Sequence, residues 1–345
     1  MSGTHPAPVS VRTLHIAGIL VDIYGVDELP PDVQAVTVLW LHHPRLRARD
    51  DMAAMAAQAV HAAARPVPRA GLIAAAFDQR NHGSRAASDP ANDAWREGNP
   101  RHAQDMFGLV RGTVVDTSLL IDLLGAYAED LFAGLTAPDS VCIAAHMVLG
   151  VSLGGHSAWQ LMFDDPRVSA AVVVIGCPDY IALMCDRARL SRRPSFARPG
   201  SEPGFRSFLG SSDFPNALIH DVCAHDPKGR LFGTAELPPS QQPANTDPAV
   251  EKKLVALVRG KRFLLCSGAV DKLVPYAVGK PFVDAFKYYA DTLPALQLIV
   301  QDRIYDGVGH AFTPAMKDDA VAFLLRSIEL QLAGEPESGA TTSKI

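Results

Sequence analysis

The chain has 345 residues, 48% of them hydrophobic, and a net charge of −5 from 32 basic and 37 acidic residues. This length suits an α/β enzyme with an insertion, and the apolar fraction is enough for a large core. The basic residues form no block, which argues against a nucleic-acid partner. No apolar run approaches the length of a membrane span, and the first ten residues do not resemble a secretory leader.

The pattern of apolar runs predicts an alternation of strands and helices along the chain. The predicted strands cover 11–24 (one or two strands), 35–41, 70–77, 147–151, 170–175, 262–266 and 296–304. The predicted helices cover 49–64, 105–131, 153–163, 179–190 and 318–332. Strands that alternate with helices in this way are typical of an α/β fold with a mainly parallel, twisted sheet flanked by helices.

The alternation breaks down between residues 178 and 261, where proline, glycine, serine and aspartate are frequent. A structureless loop of that length inside a compact domain is uncommon, so we expect an inserted cap with short helices. Residues 1–177 and 262–333 then form the core, and 334–345 form a disordered tail. Five irregularly spaced cysteines favour reduced thiols in a cytoplasmic protein. The final Ser343-Lys344-Ile345 leaves a peroxisomal address as the alternative.

Ser152 is the first candidate for chemistry, in the segment Gly150-Val151-Ser152-Leu153-Gly154. A G-x-S-x-G motif between a strand and a helix allows a sharp turn that exposes the serine hydroxyl. The flanking glycines permit this turn because they lack a Cβ atom. Serine is a weak nucleophile, so this interpretation also requires a base within hydrogen-bond reach.

A base and an acid follow later strands. His310 comes after the last predicted strand, and Asp271 comes after the strand that precedes it. The carboxyl ends of parallel strands share one edge of a sheet, so these side chains are expected to converge on Ser152. Imidazole titrates near working pH, and a carboxylate fixes its tautomer. Asp179, which follows an earlier strand, is the rival acid.

From about residue 36 to 332 the chain resembles the α/β-hydrolase superfamily, in its serine esterase and prolyl-oligopeptidase-like branch. The order Ser152, Asp271, His310 is the order found in that superfamily. Gly-Val-Ser-Leu-Gly-Gly-His over 150–156 resembles its extended nucleophile elbow, and Asp-Gln-Arg-Asn-His-Gly over 78–83 resembles its Asp-x-Arg-x-His-Gly loop.

The resemblance also implies an oxyanion hole. One donor is the backbone N–H of Leu153, the residue after the nucleophile. The second donor comes from the loop after the third strand. Pro44 has no N–H, so Arg45 is the expected donor there. Expected pocket walls are His43 and Pro44, together with two residues of the predicted cap, Tyr180 and Met184.

The resulting hypothesis is a serine hydrolase that cleaves a carboxylic ester, lactone or thioester without cofactor or metal. A small peptidase or amidase of the prolyl-oligopeptidase-like type is the second hypothesis. The third is a binding protein with the same fold but no turnover. The expected partner is a small-molecule ester, and a homodimer is left open.

Overall fold

The structure is a computed structural model that describes residues 7–64, 70–138, 141–196, 208–237 and 247–333. Its frame is a sheet of eight strands. They are β1 (Val11–Ile16), β2 (Ile19–Tyr24), β3 (Ala35–His42), β4 (Ala70–Phe77), β5 (Cys142–Val151), β6 (Val168–Val174), β7 (Arg262–Gly268) and β8 (Ile299–Tyr305).

The strands lie in the order β1-β2-β4-β3-β5-β6-β7-β8. β2 is antiparallel to both of its neighbours, and every other neighbouring pair is parallel. The predicted mainly parallel sheet is therefore confirmed. Because β5, β7 and β8 all run in the same direction, the loops that follow them leave from one edge of the sheet.

Helices cover both faces of the sheet, as expected for inner strands that are largely apolar, such as β4 and β6. They are α1 (Ala53–Ala63), α2 (His102–Leu124), α3 (Ala128–Phe132), α4 (Leu153–Asp164), α5 (Tyr180–Leu190), α6 (Asn216–His225), α7 (Pro227–Phe232), α8 (Pro248–Val258), α9 (Tyr276–Thr292) and α10 (Pro314–Ala333). None of the described helices is both long and apolar enough to cross a bilayer.

β3 shows how the two layers are packed. Val38 and Trp40 belong to an apolar cluster that includes residues of α2, α4 and α9. Leu39 and Leu41 belong to a second cluster with residues of α1 and α10. Successive side chains on a strand point to opposite faces, so β3 is buried on both sides. This double burial fixes the position of the strand whose following loop reaches the site.

Several predicted boundaries differ from those observed. The helix predicted over 105–131 is α2, a 3₁₀ turn over Gly125–Tyr127, and α3. The apolar spacing continues across Gly125, but glycine is a poor helix former and the α-helix ends before it. β5 begins at Cys142 rather than 147, because Cys142 already pairs with Ala35 of β3 although the first residues of the strand are partly exposed. α10 begins at Pro314, where proline suits the first helical position.

The segment predicted as a cap packs against two different parts of the core. Tyr180, Met184 and Phe214 join a cluster that includes Phe107 and Trp95. By contrast, Val250, Leu254 and Val258 of α8 belong to the main cluster beside the sheet. The predicted tail, 334–345, and with it the tripeptide Ser343-Lys344-Ile345, lies outside the described residues.

Candidate functional site

Ser152 lies at a sharp turn between β5 and α4. Its backbone has φ 55° and ψ −109°, a conformation that costs a non-glycine residue energy. Two hydrogen bonds hold it there. The Ser152 N–H donates to the Val174 carbonyl at 2.9 Å, and the His156 N–H donates to the Ser152 carbonyl at 3.0 Å. The turn sets the serine hydroxyl at the amino end of a helix.

Close backbone contacts explain the two glycines that flank the turn. A Cβ atom at Gly150 would lie 2.0 Å from the Gly154 carbonyl oxygen. A Cβ atom at Gly154 would lie 2.2 Å from the carbonyl oxygen of His42, at the end of β3. Both glycines are therefore required by the approach of neighbouring backbone.

We expect Gly154→Ala to destabilise the protein by about 1–3 kcal/mol, because the added methyl group meets backbone that cannot move without displacing β3. Urea unfolding followed by circular dichroism measures this change. The matched control is Gly108→Ala in α2, where a Cβ atom meets nothing within 4 Å. That substitution should leave stability unchanged or raise it by up to about 1 kcal/mol. Equal stability of the two variants would contradict the packing argument.

The three predicted catalytic side chains lie together. Ser152 Oγ is 2.8 Å from His310 Nε2, and His310 Nδ1 is 2.8 Å from Asp271 Oδ2. The side chain of Asp271 is fully buried, and His310 is partly exposed. The loops after β5, β7 and β8 supply one residue each. Ser152, which is 158 positions from His310 in the sequence, thus forms one hydrogen-bonded chain with His310 and Asp271.

The surroundings of Asp271 keep its carboxylate ionised and fixed. Its Oδ1 accepts the backbone N–H groups of Leu273 at 2.8 Å and Val274 at 3.0 Å. Burial acts to raise the pKa of Asp271, but the hydrogen bonds from His310 and from these two N–H groups outweigh it, and the pKa is lowered. Both carboxylate oxygens are therefore occupied.

Asp179, the rival acid, has a different role. Its Oδ1 accepts the backbone N–H of Ala182 at 3.0 Å and caps the amino end of α5. Burial raises its pKa. Among the described residues it makes no hydrogen bond to His310, which is bound to Asp271.

A cavity of about 420 Å³ opens beside Ser152 and His310. Its walls come from the loop after β3, the segment around Trp95, the first turns of α2, the end of α5 and the loop after β7. Pro44, which was expected as a pocket wall, and Arg45, which was expected as an oxyanion donor, both line it. This volume is within the range of small-molecule sites.

The charged residues in the described wall of this cavity are all basic. Arg45, Arg47, Arg96, Arg187 and Lys272 line it, and within the described part of the chain its walls include no aspartate or glutamate. Burial, together with a smaller effect of the neighbouring charge of Arg45, lowers the pKa of Arg187 to about 10. Arg187 is still charged at neutral pH.

Three of the expected pocket residues do not line this cavity. His43 is buried: its Nε2 accepts the Gln79 N–H at 3.0 Å, and its Nδ1 donates to the Pro44 carbonyl at 2.8 Å. Burial lowers its pKa to about 4, so the ring is neutral. Tyr180 and Met184 are also buried. Tyr180 donates its hydroxyl to the Ala103 carbonyl at 2.6 Å. These residues are buried within the fold, at α5 and the neighbouring loops.

Arg187, Trp95 and His102 also line the cavity and were not expected there from the sequence. Trp95 lies between β4 and α2, in a stretch without strand or helix periodicity, and His102 is the first residue of α2, ahead of the predicted helix start at 105. Arg187 lies on a helix that was predicted, but apolar periodicity does not show whether a charged side chain on that helix lines the cavity. Among the described residues, no group of three or more histidine, cysteine, aspartate or glutamate residues could hold a metal ion.

No protein-family model matches the chain, and neither does any curated protein. Solved structures do. TT1662 from Thermus thermophilus matches with a TM-score of 0.53 and 19% identity, over 94% of this chain and 99% of that chain. The Pyrococcus furiosus esterase PF2001 matches with a TM-score of 0.47 and 14% identity, over 93% and 91%.

The Pyrococcus horikoshii acylaminoacyl peptidase matches with a TM-score of 0.49 and 11% identity, over 97% of this chain but 43% of that longer one. At 19% identity, the match to TT1662 shows a similarity of fold alone. The strand order, the antiparallel β2 and the turn at Ser152 agree with the resemblance drawn from the sequence. The chain therefore has the α/β-hydrolase fold.

Proposed function

We propose that the protein is a serine hydrolase that cleaves carboxylic esters through an acyl-enzyme, with Ser152 as nucleophile, His310 as base and Asp271 as the acid that orients it. The observation that carries this proposal is the chain of two 2.8 Å hydrogen bonds from Ser152 Oγ through His310 to a buried carboxylate. The adjacent cavity has the volume of a small-molecule site.

The direction of the hydrogen bonds gives the first step. Asp271 accepts the N–H at His310 Nδ1, which leaves Nε2 unprotonated and able to accept the Ser152 proton. As Oγ attacks the carbonyl carbon, the proton passes to Nε2 and negative charge moves to the carbonyl oxygen. When the C–O bond to the leaving group breaks, Nε2 returns its proton to the departing alkoxide. Water then releases the acyl group by the same transfers.

The oxyanion needs donors that are in place before the reaction. Leu153 is the first residue of α4, so its backbone N–H has no carbonyl partner within the helix. We assign it as one donor, supported by the positive end of the helix dipole. The backbone N–H of Arg45 is our proposed second donor. Its loop lines the cavity together with Ser152, and the preceding Pro44 has no N–H to offer.

Two measurements test the proposal against its alternatives. A fluorophosphonate probe reacts only with an activated serine, so we expect covalent labelling, and its absence would favour a binding protein. A series of 4-nitrophenyl esters is then compared with 4-nitroanilides that carry the same acyl groups. We expect kcat/KM for the esters to be higher by roughly 10²–10⁴-fold, which is the usual contribution of one positioned proton donor or acceptor to the rate of a reaction. Labelling with comparable or faster anilide cleavage would identify a peptidase or amidase instead.

A further inference from the structure

One wall of the cavity contains a guanidinium, that of Arg187, with an unusual set of contacts. Arg187 Nη1 donates to His102 Nε2 at 3.2 Å and contacts Met106 Sδ at 2.8 Å, while Nη2 donates to the Leu273 carbonyl at 3.3 Å. All three acceptors are neutral. The nearby Asp186 pairs with Arg189 at 2.6 Å, and within the described residues Arg187 makes no ion pair.

His102 is fixed as an acceptor for this guanidinium. Its Nδ1 donates to the Asp93 carbonyl at 2.9 Å, so Nε2 carries no proton and faces Arg187. Burial lowers the pKa of His102 to about 3, which keeps the ring neutral. The guanidinium is thus held in one orientation by groups that do not neutralise it.

Two N–H groups of Arg187 remain without a partner in the described part of the chain: the one at Nε and the second one at Nη2. In a planar guanidinium, the N–H at Nε shares an edge with one N–H of Nη2. This edge matches the two oxygens of a carboxylate, which it binds through two parallel hydrogen bonds.

Arg45 adds a second positive charge to the same cavity. One of its guanidinium nitrogens donates to the Asn92 carbonyl, again a neutral acceptor. The charge of Arg45 acts on Arg187 strongly enough to contribute to its lowered pKa. Two like charges in a half-buried cavity repel each other, and an anion bound between them would offset this unfavourable electrostatic energy.

We propose that the cavity binds a carboxylate of the substrate through Arg187 and Arg45, so that the substrate is an ester that also carries a free carboxylate. This proposal rests on the proposed ester hydrolase function. A neutral substrate would leave both charges uncompensated in the bound state. A cationic substrate would be repelled by them and by Arg47, Arg96 and Lys272 at the same cavity.

Two pairs of esters test whether a carboxylate is preferred and on which side of the ester it lies. For the acyl side, mono-4-nitrophenyl adipate is compared with 4-nitrophenyl hexanoate, which has the same chain length and no charge. For the alcohol side, 4-acetoxybenzoate is compared with its methyl ester. We expect the charged member of at least one pair to have the higher kcat/KM, by on the order of 10- to 100-fold, the usual effect of hydrogen bonds to an ionised group.

The same ratios are then measured for Arg187→Met, Arg187→Lys and Arg45→Met. The matched control is Arg189→Met, since Arg189 is an exposed arginine on the same helix. We expect the preference to disappear in Arg187→Met, to be partly kept in Arg187→Lys, to fall in Arg45→Met and to be unchanged in Arg189→Met.

A wild-type enzyme that hydrolyses both neutral esters as fast as their charged partners would overturn this proposal and leave the hydrolase function standing. An undiminished preference in both Arg187→Met and Arg45→Met would do the same. Absence of hydrolysis of all four esters, together with absence of fluorophosphonate labelling, would instead remove the proposed function itself. If Arg187→Met does not fold, Arg187→Lys and Arg45→Met decide the question.

Discussion

Ser152→Ala should abolish both turnover and fluorophosphonate labelling. The substitution removes the hydroxyl that lies 2.8 Å from His310 Nε2, and among the described residues no other hydroxyl is hydrogen-bonded to that nitrogen. Loss of the nucleophile from an intact triad lowers kcat by a factor on the order of 10⁴ to 10⁶, and the remaining rate comes from binding and the oxyanion donors. The measurement is hydrolysis of a 4-nitrophenyl ester, with labelling detected by mass spectrometry of the intact protein.

The control for this prediction is Ser169→Ala. Ser169 lies on β6, where its hydroxyl donates to the His146 carbonyl at 3.3 Å, away from the cavity. We expect this variant to be labelled and to turn over like the wild-type protein. Labelling of Ser152→Ala at an undiminished rate would show that another residue is the nucleophile and would remove the basis of the proposed function.

The convergence of Ser152, Asp271 and His310 could be predicted because it depends on topology alone. Each residue follows a strand, and parallel strands with helical connections end at one edge of a sheet. The glycines around Ser152 were equally informative, since the turn needs close backbone contacts that only glycine allows. Local sequence patterns were enough here because the constraint is in the backbone.

The walls of the cavity could not be predicted in the same way. Tyr180 and Met184 were expected there because aromatic and long apolar side chains are frequent in ligand pockets. They are buried in the core of the molecule instead. The preference of such side chains for burial is equally compatible with a place in a pocket and a place in the core, so it could not distinguish the two. The sequence shows that α5 is amphipathic but not which of its neighbours each face meets.

The basic lining of the cavity was also hidden in the sequence. Arg45, Arg96, Arg187 and Lys272 lie in four separate segments, and the overall charge of the chain is negative. Nothing in their spacing indicates that they line the same cavity. Nor does the sequence indicate that the described walls of this cavity contain no aspartate or glutamate. Such a concentration of one sign of charge is a property of the fold, and it has consequences for substrate choice rather than for stability.

Asp271→Asn should lower kcat by a factor of about 10⁴ while leaving the protein folded. The carboxylate accepts the N–H at His310 Nδ1, and this contact keeps Nε2 free to take the Ser152 proton. An asparagine amide that donates to Nδ1 would place the proton on Nε2, where the ring cannot act as base. The measurement is kcat for a 4-nitrophenyl ester under saturation, with thermal unfolding recorded in parallel.

Asp179→Asn is the matched comparison, because it makes the same chemical change in the other carboxylate considered for this role. Asparagine is as good a helix cap as aspartate, so the hydrogen bond to the Ala182 N–H can be kept. We expect kcat to stay within experimental scatter of the wild-type value. If Asp271→Asn were nearly silent and Asp179→Asn lost activity, the orienting acid would have to be Asp179. His310 would then have to adopt a different position in the working enzyme from the one described here.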